Sequence, residues 1–144
     1  MLTPSLEDYI ETIFMEQTKR KVVRVKDLTS TMNVKTSSVI GALKVLSEKG
    51  YVNHEHYGYI ELTPSGVRKA RQVYKKHKIL IKFLKEILRV DEKIAREDAC
   101  RIEHYIHEKT FERLVEFVSF MESFERKKTP VKNEFKRYLQ KKKE

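Results

Sequence analysis

The sequence predicts a mainly α-helical chain of two lobes, an N-terminal one that contains a single β-hairpin and a C-terminal one built of helices alone. Three observations carry that expectation. Glycine (4) and proline (3) are scarce among 144 residues, so little interrupts regular structure. Apolar residues recur at helical spacing through most of the chain. The exception is 51–62, which alternates apolar and polar residues around Tyr57-Gly58. With 40% hydrophobic residues the chain can bury one sizeable core or two small ones, and the expected division is 1–70 and 71–144.

Charge narrows the partners. The net charge of +10, from 31 basic and 21 acidic residues, calls for an anionic partner. Nucleic acid is the most economical choice, although an acidic membrane surface fits the same arithmetic. Part of the excess sits in Lys141-Lys142-Lys143, a run that reads as a solvated tail. No apolar run is long enough to span a bilayer and Met1-Leu2-Thr3-Pro4-Ser5 lacks a secretory pattern, so a cytoplasmic protein without membrane contact is expected. A single cysteine cannot form an internal disulfide, which leaves Cys100 as a small buried residue, a ligand or a reactive thiol.

The first helix is expected from Ser5 as N-cap, with Asp8 at N3 and Pro4 blocking extension backward. Leu6, Tyr9, Ile10, Ile13 and Phe14 form its apolar stripe, and Asp8 and Glu11 share a neighbouring face. Those acids could be ligands, although the segment taken alone favours one capping carboxylate and one ordinary surface Glu. Val23-Arg24-Val25 reads as extended, followed by a short helix from Lys26 to Met32 that ends at Asn33. Thr36 is expected to cap the next helix, with Val39, Ala42, Leu43 and Leu46 inward and Gly50 closing it.

Two short helices joined by a tight turn make a helix-turn-helix, and the hairpin that follows makes a wing. The outward residues Ser37, Ser38, Ile40, Gly41 and Lys44 are small or hydrogen-bonding, as entry into a DNA major groove requires. Lys35, Thr36 and the wing residue Tyr57 complete the expected double-stranded DNA contact. His54 and His56 resemble a metal pair, but strand residues two apart read more simply as solvent-facing near phosphates.

Thr63 and Pro64 start a long helix, N-cap and N1, which is expected to run to about Ile87 and to link the lobes. His77 sits among its lysines. Asp91-Glu92-Lys93 begins the next helix, expected to reach about His107, and Thr110 is expected to cap another through Phe124. That helix is apolar on two faces, Phe111, Leu114, Val115, Val118 and Met121 on one, Phe117, Phe120 and Phe124 on the other. One face is therefore expected to pack on a second copy, the alternative being a wide helix in a single core. Thr129-Pro130 begins a final basic helix with Phe135, Tyr138 and Leu139.

The chemistry concentrates at Cys100-Arg101-Ile102-Glu103-His104. Cys100, Glu103 and His104 stand at i, i+3 and i+4, so sulfur, oxygen and nitrogen donors converge on one helix face. Such a cluster suits a transition metal, but three donors are an incomplete site.

Taken together, Thr3-Pro4-Ser5, Asp8-Tyr9-Ile10-Glu11, Ser37-Ser38-Val39, Leu62-Thr63-Pro64-Ser65-Gly66, His77 and Ile102-Glu103-His104 resemble the diphtheria toxin repressor family of metal-dependent transcriptional regulators. The likeness is to its short two-domain branch, to which the manganese transport regulator belongs, and one helix beyond Phe124 leaves no room for a third, SH3-like domain. The resemblance implies a winged helix-turn-helix followed by a helical dimerisation domain, a homodimer on an operator, and a divalent metal as corepressor for metal-uptake genes. It implies that Asp8, Cys100, Glu103 and His104 form one metal position, and that Glu11 and His77 belong to a neighbouring one that can share Glu103.

Two departures bear on the metal. Cys100 stands where the manganese-responsive branch has a carboxylate, and Asp8 where the iron-responsive branch has a methionine. Arg96 and Ile81 occupy positions of the iron branch's ancillary ligands, which argues against that form of second site. Carboxylates and imidazole suit Mn²⁺ or Fe²⁺, while a thiolate shifts preference toward Fe²⁺, Co²⁺, Ni²⁺ or Zn²⁺. The mixture leans to Fe²⁺ over Mn²⁺, other divalent ions binding in vitro, with no small organic ligand. Two rivals remain on sequence alone: a metal-independent winged-helix regulator, and a hydrolytic metalloenzyme built on Glu103 and His104.

Overall fold

The computed structural model describes residues 1–55, 58–126 and 131–142, and the chain divides into two compact units, Met1–Tyr74 and Lys75–Glu144. The first unit contains α1 (Pro4–Lys19), α2 (Val25–Met32), α3 (Thr36–Glu48), β1 (Val52–His54), β2 (Ile60–Leu62) and the start of α4 (Pro64–Lys82). The second holds the end of α4, a π-helical turn (Phe83–Ile87), α5 (Glu92–Ile102), α6 (Glu108–Arg126) and α7 (Val131–Lys141). No helix among the described residues is long and apolar enough to cross a membrane. The mainly α architecture with one small sheet is the one expected.

In the first unit, Ile10 and Ile13 of α1, Leu28 of α2, and Val39, Leu43 and Leu46 of α3 are fully buried around one core. Each such side chain contributes roughly 1.5–3 kcal/mol of burial, so the apolar stripes alone orient the three helices. The sheet is a two-stranded antiparallel hairpin in register Val52↔Leu62, Asn53↔Glu61 and His54↔Ile60. Val23 adds a bridge to it, its carbonyl accepting the Ile60 N–H at 2.9 Å. Val23 is thus extended, as expected, and forms the buried edge of the wing's base.

Several helix ends differ from expectation. Thr3, not Ser5, caps α1, its hydroxyl accepting the Leu6 N–H at 3.3 Å, because Pro4 takes the N1 place where its missing N–H is harmless. Asp8 therefore lies beyond the capping turn. Helix α2 begins at Val25, since the Asp27 carboxylate accepts the Arg24 N–H at 2.8 Å and closes the turn one residue early. Lys35 is the N-cap of α3 and Thr36 its first residue. Helix α6 begins at Glu108, before Thr110, with His107 Nδ1 accepting the Lys109 N–H at 3.3 Å.

The expected closure of α3 holds. Gly50 has φ 73°, the left-handed C′ conformation, and Tyr51 N–H bonds back to the Leu46 carbonyl at 2.9 Å. The long linking helix does not stay α to Ile87. After Lys82 it widens into the π-helical turn, with the Leu88 N–H reaching the Phe83 carbonyl at 3.0 Å, and it ends on Arg89 at φ 60°. Helix α5 stops at Ile102, five residues short of His107.

The second unit has two small apolar clusters. Leu80 and Leu84 pack on Ala95 and Ala99, while Ile87 packs on Val118 and Met121. The start of the final helix at Thr129-Pro130, like His56, lies outside the described residues.

Candidate metal centre and nucleic-acid interface

The helix-turn-helix is made by α2 and α3. Asn33 ends α2 in the left-handed conformation (φ 53°, ψ 50°), which turns the chain sharply into Lys35 and α3. With Val39, Ala42, Leu43 and Leu46 buried, the opposite face must be presented outward, and Lys35, Thr36, Ser37, Ser38, Ile40, Gly41 and Lys44 are all exposed. Ile40 is 44% exposed, an aliphatic side chain left in water on a helix with an available core. An added Cβ at Gly41 would meet no atom within 4 Å, so packing inside the protein does not explain that glycine. Tyr57 lies outside the described residues, and His54 is half-buried on β1 rather than solvent-facing.

Asp8 and Glu11 sit one turn apart on α1 in the first unit, both half-buried. On the same helix Glu7 pairs with Lys69 at 2.7 Å, and buried Glu16 accepts the Thr31 hydroxyl at 3.1 Å.

The metal-type donors of the second unit meet where α5 ends against α4. Ala95 and Ala99 are wholly buried against Leu80 and Leu84, and these small side chains let the two helices approach closely. Although α5 stops at Ile102, Glu103 keeps helical dihedrals (φ −57°, ψ −30°) and its N–H bonds to the Ala99 carbonyl at 3.0 Å. Cys100, Glu103 and His104 therefore converge as expected, one ligand atom from each lying within 4.8 Å of the others. Ligands at about 2.0–2.3 Å from one ion lie at most about 4.6 Å apart, close to the 4.8 Å that bounds this cluster, so small side-chain adjustments bring the donors to a shared cation.

Glu103 is the centre of the cluster. Its side chain is fully buried, and Oε2 lies 2.7 Å from Nδ1 of His77 on α4. Two lone pairs at that distance would repel, so the imidazole Nδ1–H donates to the carboxylate. Among the described residues Oε1 has no hydrogen-bond partner, and His104 Nε2 stands 3.4 Å from it. A buried carboxylate oxygen without a hydrogen bond costs several kcal/mol unless a cation compensates it. The carboxylate, imidazole and thiol donors fit a divalent transition metal.

His77 was expected only from resemblance, because 26 residues separate it from Glu103 and no local spacing predicts their contact. Arg96 pairs with Glu92 at 2.7 Å on an exposed face of α5, and Ile81 packs on the Leu80 cluster, so neither acts as a ligand.

Comparison with known proteins agrees with these two features in turn. Residues 1–60 match the N-terminal DNA-binding domain of the iron-dependent repressors, and residues 63–129 match their metal-binding and dimerisation domain. An uncharacterised HTH-type transcriptional regulator of Methanocaldococcus jannaschii is 38% identical over 127 residues, 88% of this chain and 99% of that one. The chain belongs to the iron-dependent repressor family.

Within the family, the HTH-type transcriptional regulator MntR of Bacillus subtilis is 32% identical over 133 residues, covering 92% of this chain and 93% of that protein. Among solved structures, a manganese-dependent transcriptional repressor in complex with manganese aligns with a TM-score of 0.73 at 27% identity, over 80% of this chain. IdeR of T. acidophilum aligns at 0.69 and 26% identity, over 78%. The present chain spans about half of those two chains, 53% of each. Family membership makes this a metal-dependent transcriptional repressor with a divalent metal as cofactor, and it removes the metalloenzyme reading, since the relatives are transcriptional regulators.

Proposed function

We propose that the chain acts in the cytoplasm as a homodimeric repressor of metal-uptake genes, binding its operator when loaded with Fe²⁺ or Mn²⁺, with Fe²⁺ favoured. Asp8, Cys100, Glu103 and His104 hold one ion, and Glu11 and His77 hold a neighbouring one with Glu103 shared. The observation that carries this reading is the Glu103 carboxylate, buried with one oxygen on His77 and the other without a hydrogen bond beside His104.

Each residue has a definable task. Glu103 supplies charge in a place where water cannot satisfy it. His77 orients that carboxylate through Nδ1, and His104 and Cys100 supply the softer donors that separate transition metals from Mg²⁺ or Ca²⁺. Asp8 and Glu11 belong to α1 of the winged-helix part, whose extent is about residues 1–70, while the other four belong to the helical part at 71–144. A bound dication supplies the positive charge that draws both sets of donors together. The residues then favour one arrangement of the two parts, and occupancy stabilises it by RT ln(1 + [M]/Kd) per site.

Two copies are supported by α6. Phe117 and Phe120 are 43% and 54% exposed, and Phe117 lines a 440 Å³ apolar groove with Leu84, Ile102, Ile106 and Leu114. A homodimer carries two α3 helices, one for each of two successive major grooves. Anaerobic titration with Fe²⁺ and with Mn²⁺, followed by elemental counting on the purified protein, tests the proposal. Stoichiometric binding that Glu103→Gln abolishes is expected, and unaltered binding in that variant refutes the ligand assignment.

A further inference from the structure

We propose that the exposed basic face of α4, formed by Arg68, Arg71 and Lys75, is a second DNA-binding surface that grips phosphates outside the segment read by α3. The inference rests on the reading that the winged-helix part binds DNA.

Charge is divided unevenly between the winged helix and α4. Through residue 63 the chain has eight basic and eight acidic residues, so the winged helix up to the end of its hairpin is formally neutral. Phosphate neutralisation supplies most of the free energy of non-specific DNA binding, and a module of zero net charge offers only local cations such as Lys35 and Lys44 for it. The missing charge follows at once. Between Pro64 and Lys82, α4 has seven Lys or Arg and no Asp or Glu.

These cations are not equivalent. Lys69 pairs with Glu7 at 2.7 Å and Lys76 with Glu108 at 2.8 Å, and Lys82 is bonded to Glu122. Arg68, Arg71 and Lys75 are exposed, and no carboxylate pairs with them among the described residues. At i, i+3 and i+7 they share one helix face, so their charges add along a line. A solvated face would mix signs or pair its cations, as the rest of this helix does.

The start of α4 is also fastened to the recognition helix. The Thr63 hydroxyl donates to the carbonyl of Gly50, the residue that closes α3, at 2.7 Å, and accepts the Gly66 N–H at 3.0 Å. The Thr63 N–H bonds to the Tyr51 carbonyl at 3.0 Å. Whatever places α3 on a duplex therefore places the first turns of α4 with it.

The test uses the full-length metal-loaded protein and a labelled mixed-sequence duplex, followed by anisotropy between about 50 and 200 mM salt. In Arg68→Gln/Arg71→Gln/Lys75→Gln, the slope of log affinity against log salt is expected to become shallower by roughly 0.9 for each phosphate that is no longer neutralised, nearly 3 per protomer. Affinity at the low-salt end falls by at least about tenfold, while metal titration and thermal melting stay unchanged. Arg68→Lys/Arg71→Lys should keep the wild-type slope, and the single Arg68→Gln variant reads the same effect at one third of its size if the triple variant does not fold.

An unchanged slope in the glutamine variants, with wild type binding normally, overturns this proposal and leaves the DNA-binding reading standing. Failure of the wild type to bind any duplex with metal overturns both. Anionic phosphatidylserine vesicles form a parallel arm: loss of vesicle binding in the variant with an unchanged DNA slope assigns the face to a membrane and refutes the proposal.

Discussion

Nδ1 of His77 lies 2.7 Å from Oε2 of a Glu103 whose other oxygen, Oε1, is buried without a hydrogen bond. The pair joins α4 to the end of α5 and sets up an unspent negative charge. Replacement by an amide of the same shape removes the charge and keeps the packing, so Glu103→Gln should fold as well as wild type or slightly better without metal. Wild type at a hundredfold excess of Mn²⁺ over Kd should gain about 2.7 kcal/mol, a rise of roughly 5–10 °C in melting temperature. The variant should show no such rise in a thermal melt run with and without metal.

In the proposed ligand set, Cys100 sets the choice of ion. Its thiolate favours the later divalent metals, and an aspartate in its place offers only oxygen. Cys100→Asp should raise Mn²⁺ affinity relative to Co²⁺ by on the order of tenfold, and should remove the thiolate-to-cobalt absorption band of the Co²⁺-loaded protein. An unchanged cobalt spectrum would show that Cys100 is not a ligand.

Gly41 separates folding from DNA contact. A Cβ there meets nothing within 4 Å, and alanine is the better helix former by about 0.5–1 kcal/mol, so Gly41→Ala should be stabilising. On a helix that enters a groove closely the same methyl obstructs approach, and affinity for DNA should fall about tenfold or more, a loss of about 1.4 kcal/mol. Chemical denaturation and anisotropy on one preparation check both signs.

Gly66 is fixed for an opposite reason. A Cβ at this position would stand 2.0 Å from the Tyr51 carbonyl oxygen, which is backbone and cannot swing away. Gly66→Ala should cost roughly 3 kcal/mol and lower the melting temperature by on the order of 10 °C, read by calorimetry.

Glu92 gives an acid signature to the second unit. Hydrogen bonds first from Lys85 and then from Arg96 lower its carboxyl from 4.5 to about 2. A depressed folded-state pKa contributes stability that is present above the ordinary carboxylate range and lost as pH falls from 4.5 toward 2. Wild type should therefore exceed Glu92→Gln in melting temperature at neutral pH, and the two curves should converge near pH 2.

How much of this was legible depends on the range of the interaction. The inward stripe of α3, its closure at Gly50 and the convergence of Cys100, Glu103 and His104 follow from spacing within a few turns, and the structure has them. Helix ends were harder, because a cap is decided by one hydrogen bond: Thr3 outcompetes Ser5 once Pro4 takes N1, and His107 supplies an imidazole acceptor where Thr110 offered a hydroxyl. The π-helical turn at Phe83–Ile87 leaves no periodic trace over five residues. The Val23 bridge to Ile60 and the His77–Glu103 contact join residues far apart in sequence, and only packing brings them together.

The central claim is that metal held around Glu103 governs DNA binding. It is tested most directly by anaerobic anisotropy on a duplex selected by this protein from a random pool, with and without Fe²⁺ or Mn²⁺. The account predicts binding at least about tenfold tighter with metal, an effect lost in Glu103→Gln. Equally tight binding by the metal-free wild type would contradict it.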